Sequence, residues 1–172
     1  CANLDGAELR DSIMTRADLR GASIRNANLA GAVLKEADLR GGAFVSDNPG
    51  ASPMHIRSNL SQSEMDEVEM DNANLSGTDL SRSSMVGANL ENTLLCGANL
   101  AGVNLEGANL KGADLSGANL TDARIIGAEM VGANMTGVTL RNTKLLRSNL
   151  QGVSLLNVDL SGADLSGSNL VS

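Results

Sequence analysis

From Leu60 to Leu170 every fifth residue is a leucine or methionine, once an isoleucine, and Ala, Ser, Thr or Val stands two places before each. A short period held this long restricts the architecture more than composition can. Residues five apart lie about 140° from one another on an α-helix, so no apolar stripe forms. Strand alternation fails as well, because five is odd. The pattern works if each five-residue word makes a short extended side and then turns a corner. Glycine dominates the position two after the centre, as at Gly97, Gly102, Gly107, Gly112 and Gly117, where its backbone freedom eases a tight turn. The centre and the small residue two before it then share one face and point inward. The other three positions face water.

The same word runs through the start of the chain, with centres at Leu4, Leu9, Met14, Leu19, Ile24, Leu29, Leu34, Leu39 and Phe44, one position out of phase with Leu60 and its successors. The sequence therefore predicts a single domain over 1–172 in three parts: a first block at 1–44, an interruption at 45–57 and a second block at 58–172. The interruption holds both prolines, the only histidine (His55) and a methionine outside any centre (Met54). The two blocks together contain 32 words.

Composition agrees with a layered interior. One Phe and no Trp or Tyr are too few rings for an irregular core, so stacked Leu, Met and Ala layers are expected. No run of about 18 apolar residues exists to span a membrane. Cys1 and Cys96 stand in distant words and do not suggest a disulfide framework. The chain opens in mid-repeat at Cys1 without an initiator methionine, as expected of a processed product or a piece of a longer chain. The cytoplasm is the expected compartment, with plastid or periplasm as alternatives after removal of a targeting segment.

These words, typified by Val103-Asn104-Leu105-Glu106-Gly107 and Ala118-Asn119-Leu120-Thr121-Asp122, resemble the pentapeptide repeat family, A-(D/N)-L-x-x, everywhere except 45–57. The leucine centres are similar to those of its cyanobacterial and plastid members. The opening Cys1-Ala2-Asn3-Leu4 also resembles the repeat tail of BTB-domain adaptor proteins. The resemblance implies an all-β fold: a right-handed quadrilateral β-helix, a solenoid of about eight coils of four words, with one loop interrupting it. Family members commonly carry caps or appended domains. Either such elements flank this stretch, or its ends meet a partner or a second copy end to end.

No catalytic constellation is visible. His55 is alone, so no Ser-His-Asp or Cys-His pairing suggests itself. Cys96 follows the centre Leu95 and is expected to be an incidental outward thiol. The Asn and Asp residues before the centres are expected to serve turns and stacked polar ladders rather than metal. The expectation is thus a protein that is not an enzyme and uses no cofactor.

With residues 20 apart stacked, two surfaces stand out. One is an exposed apolar pair, Ile126 and Leu146, rimmed by Arg124, Arg141, Lys144 and Arg147, which suits a partner site. The other joins Met54, His55 and Ile56 of the interruption to the acidic residues Glu64, Asp66, Glu67, Glu69 and Asp71. These five acids stand among residues 58–75 with no basic residue, whereas 1–57 is neutral. The leading expectation is a rigid, non-enzymatic scaffold that binds another protein. The alternative, implied by the resemblance, is a DNA-mimicking inhibitor or protector of DNA gyrase. Against it, the chain has leucine centres and 13 basic residues that break the negative surface. Direct nucleic-acid binding is disfavoured by a net charge of -7 and the near absence of aromatic residues.

Overall fold

The computed structural model describes residues 2–44 and 58–171. Met54, His55 and Ile56 lie outside the described residues.

Each word folds as a tight turn with one pairing residue. In most words the amide three after the centre donates to the centre's carbonyl, as Ala7 N does to Leu4 O at 3.0 Å and Ala118 N to Leu115 O at 2.9 Å. The residue two after the centre adopts positive φ in every word whose turn is described, as at Gly117 (65°). Residues with side chains adopt it too, including Asp11 (53°), Glu67 (58°), Arg82 (58°) and Arg147 (55°). Glycine relieves the strain of that conformation, but the coil imposes it whatever the residue. Because the turn uses four of the five positions, only the residue before the centre bridges to the next coil. The sides are single-residue parallel bridges rather than multi-residue strands.

The bridges fix the register. Asn3 pairs with Ser23 and Asn104 with Arg124, always 20 apart within a block. Across the interruption the step becomes 31, as in Val33 with Glu64 and Ala43 with Asn74. Four ladders result, each receiving one word from every coil. Coil 1 is 2–21 and coil 2 is 22–41; coil 3 combines 42–44 with 58–72; coils 4 to 8 are 73–92, 93–112, 113–132, 133–152 and 153–171. The expected count of eight coils is what the bridges draw, and the phase slip reflects 11 extra residues at one corner of coil 3.

The interior follows from the word. Centres from Ile24 to Leu150 are at most 1% exposed, and the alanines two before them are nearly as buried. Each such leucine contributes on the order of 1.5–3 kcal/mol of burial. Phe44, the one ring, is compensated by its small partner: a Cβ on Gly42 would lie 3.2 Å from Phe44 Cε2 and 2.9 Å from Leu39 O. At several positions where Ser or Thr replaces the inward alanine, its hydroxyl reaches a backbone carbonyl one turn of the coil back. Thr93 Oγ1 donates to Met70 O at 2.9 Å and Thr143 Oγ1 to Leu120 O at 2.7 Å. Ser83 instead bonds Leu80 O in its own turn, and Ser12 and Thr78 find no partner among the described residues. Ser58, the first described residue after the interruption, is fully buried, with Oγ 2.6 Å from Phe44 O and 2.7 Å from Ile24 O. It ties the chain's return to the point where it left.

Candidate protein-interaction face

With the inside committed to packing and the turns to hydrogen bonds, only the outward columns vary. The residues before the centres largely satisfy one another. An Asn there accepts the amide two residues on, as Asn74 Oδ1 does from Ser76 N at 3.1 Å. Its Nδ2 reaches back one coil: Asn99 to Asp79, Asn109 to Asn89, Asn119 to Asn99 and Asn149 to Glu129, at 3.0–3.4 Å. A carboxylate only accepts, which explains why these ladders start on Asp or Glu at their N-terminal end. The expected turn and ladder role of these residues is visible here. Among the described residues no group of three or more His, Cys, Asp or Glu is arranged to hold a metal ion. Cys96 is a half-buried free thiol, its Sγ 3.9 Å from Asp114 O.

The third ladder runs through Ile13, Val33, Glu64, Ser84, Asn104, Arg124, Lys144 and Asp164 and departs furthest from this pattern. Next to it, a column one position after the centres holds Asp66, Val86, Glu106, Ile126 and Leu146, whose carbonyls accept amides from the coil before. Gly107 N donates to Ile126 O and Gly127 N to Leu146 O, both at 2.9 Å. Ile126 and Leu146 are therefore coil-to-coil neighbours, as expected, but they are half-buried rather than exposed. Stacking in the column covers one flank of each, which a grid of residue letters does not reveal. The turn at Ile126 also lacks the closing bond that Ala123 and Ala133 make in the words on either side. Instead the Ile125 carbonyl accepts Ser148 Oγ at 2.5 Å.

The basic rim is partly matched by acids. Arg124 pairs with Glu106 at 2.9 Å, and Arg141, on the neighbouring corner, lies 3.8 Å from Asp159. Asp164 is held below the ordinary carboxylate range by Ser166 and, to a smaller extent, by the charge of Lys144. Arg147 makes no ion pair among the described residues and stacks along a column whose neighbours are Gly127 and Gly167. Lys144 and Arg147 are the cations that this face leaves exposed to solvent with no ion pair.

The acidic cluster spans two ladders. Glu64, Asp66 and Glu67 belong to the third, Glu69 and Asp71 to the fourth. Although no basic residue is near in sequence, the 31-residue step brings Lys35 to 2.9 Å from Glu64 and 4.0 Å from Asp66. Asp66 also accepts Ser84 Oγ at 2.5 Å and Val86 N at 3.1 Å. Glu69 accepts Asn89 Nδ2 at 2.8 Å. The pKa of Arg40 is raised, first by its bond to Asp38 and then in small part by Asp71 and Glu69. Sequence reasoning missed Val86 and Glu106, which share the column of Ile126. It also missed the exposed Ile13 (80%), Leu94 (44%) and Leu156 (68%). Reading each column from one end to the other would have found them.

No helix among the described residues is long and apolar enough to cross a membrane. No curated protein matches the sequence. Among solved structures, a trypsin-treated form of QnrB1, a plasmid-mediated fluoroquinolone resistance protein, is 22% identical over 98% of this chain and 89% of that one, with a TM-score of 0.59. HetL of the cyanobacterium Nostoc sp. strain PCC 7120, a pentapeptide repeat protein involved in heterocyst differentiation regulation, is 27% identical over 99% and 85%, with a TM-score of 0.41. The family model for pentapeptide repeats matches in eight copies over 2–41, 56–82, 73–112, 83–122, 98–137 and 133–170. The chain belongs to the pentapeptide repeat family.

Proposed function

We propose that this chain is a non-enzymatic scaffold, a right-handed quadrilateral β-helix that binds another protein through its third ladder. The observation that carries the reading is the contrast between columns. Inward positions are uniform, and most outward polar groups are spent on turns and ladders. The third ladder alone sets Ile126 and Leu146 beside Arg124, Lys144 and Arg147. An apolar centre with a charged rim is the usual composition of a protein-binding patch. The reading is tested by affinity capture with the wild type and with Ile126→Asp/Leu146→Asp, provided both melt as cooperative folds. Undiminished partner recovery by the variant removes the patch.

The gyrase reading has less support. Likeness to QnrB1 at 22% identity extends to the fold alone. Mimicry of a DNA backbone calls for a continuous anionic track, and here Lys35 interrupts the acids at Glu64 and Asp66. A supercoiling assay with purified gyrase decides it: inhibition at micromolar protein would restore that reading.

A further inference from the structure

The third ladder is self-complementary about its middle coil. Counting from coil 5, its acidic part lies two coils back, in coil 3, and its exposed cations lie two coils on, in coil 7. Coil 3 presents Glu64, Asp66 and Glu67; coil 7 presents Lys144, Leu146 and Arg147 in the same three columns. One coil from the middle, Val86 and Ile126 occupy the same column on opposite sides of Glu106.

We propose that this face pairs with the same face of a second copy of the chain, with coils antiparallel, about a two-fold axis lying in the interface at coil 5. The inference rests on the third ladder being an interaction face and names its occupant. A two-fold axis perpendicular to the coil stack and lying in the face reverses the order of coils but leaves each residue in its own column. Glu64, which also pairs with Lys35 at 2.9 Å, then meets the partner's Lys144, Glu67 meets the partner's Arg147, and Val86 meets the partner's Ile126. Asp66, whose carboxylate accepts Ser84 Oγ and Val86 N, lies against the partner's Leu146. Symmetry makes each contact twice. Glu106 falls on the axis opposite its own copy, and Arg124 already neutralises it at 2.9 Å. A parallel pairing, about an axis along the stack, would keep the coils level and set the acids of coil 3 against acids and the cations of coil 7 against cations, so like-charge repulsion selects the antiparallel arrangement. The contacts extend over four coil spacings, about 19 Å. Half-exposed charges such as Glu64 and Lys35 (54% and 42%) make the pairing sensitive to salt.

Sedimentation of the full chain tests this with two charge reversals, Lys144→Glu/Arg147→Glu and Glu64→Lys/Glu67→Lys, each shown by thermal melting to stay folded. The wild type is expected to dimerise at low ionic strength and dissociate as salt is added. Each reversal alone places like charges together at both contacts and should weaken the dimer at least about a hundredfold. An equal mixture of the two reversals makes both contacts attractive again and should restore the dimer. A monomeric wild type at low salt overturns the proposal while leaving the scaffold reading to its own capture test. A dimer that survives both reversals, or a mixture that stays monomeric, overturns it equally.

Discussion

Coils 1 and 2 share a backbone with coils 4 and 5 but tie their outer surfaces together differently. In the first pair the coil-to-coil ties are largely ionic, Arg16 to Glu36 at 2.6 Å, Arg20 to Asp38 at 3.7 Å and Arg25 to Asp5 at 4.0 Å, while Arg20 and Arg40 also close on Asp18 and Asp38 within their own words at 2.7 and 2.5 Å. In the second they are amide ladders such as Asn99 on Asp79 and Asn109 on Asn89, at 3.0 and 3.2 Å. The amide network stays neutral apart from its first member, and an Asn can both accept and donate, so it propagates from coil to coil. A carboxylate ends such a chain and leaves a charge, which coils 1 and 2 meet with arginines. The coil thus demands its inward columns and its positive-φ corner, and it tolerates different chemistry outside. That tolerance is what leaves the third ladder free to vary, as the proposed partner site requires.

The largest expected difference between the two regions lies inside. Leu110→Ala removes a fully buried side chain and should cost about 2–5 kcal/mol in denaturant unfolding. Leu9→Ala in coil 1, where the centre is only partly buried, should cost clearly less; equal losses would mean that coil 1 is packed like the middle. Backbone room comes next. Gly42→Ala places a Cβ 2.9 Å from Leu39 O and should cost about 1–3 kcal/mol. Gly117→Ala meets nothing within 4 Å and carries only the positive-φ strain, about 1 kcal/mol; reversed ranking would contradict the packing at Phe44. Hydroxyls separate similarly. Thr143→Val forfeits the bond to Leu120 O, about 1 kcal/mol. Thr78→Val removes a buried hydroxyl that has no partner among the described residues and should be neutral or stabilising in the same assay.

The smallest difference is with acid. Asp18 is lowered to about 2, chiefly by its hydrogen bond from Arg20. Asp5, held by Ser23, Glu36, held by Arg16, and Asp38, held by Arg40, are lowered too. A carboxylate with a depressed folded pKa stabilises above its unfolded value, and that contribution fades as pH falls from about 4 through the folded value. Amide exchange should therefore accelerate in coils 1 and 2 between about pH 4 and 2 before it does in coils 4 and 5. Uniform acceleration would show that the ionic ties contribute nothing local.

The word made much of this legible. Its period gave short sides meeting at corners, the family resemblance implied four words per coil and eight coils, and the phase slip located the insertion at the corner after Phe44. The Asn-rich column read correctly as ladders. Other features depend on register rather than on letters. Lys35 meets Glu64 only because the step across the insertion is 31, so the acidic cluster looked unaccompanied in sequence. Ile126 and Leu146 looked exposed because a column of neighbours hides surface that a residue alone would show. The corner's positive φ at Arg82 or Glu67 is invisible to a reading that looks for glycine, since the coil closure imposes it rather than the residue.

The central claim is that one continuous coil passes through the interruption with 11 residues added at a corner. Deleting 46–56 restores a five-residue word ending Val45-Arg57 and returns the step to 20. Deleting 46–57 removes one residue more and puts Ser58 at the corner. Thermal melting of both deletions is the direct measurement. The account predicts that the 11-residue deletion melts close to the wild type, whereas the 12-residue deletion loses the protection of coils 1 and 2. Equal melting of the two deletions, or collapse of the shorter one, would contradict it.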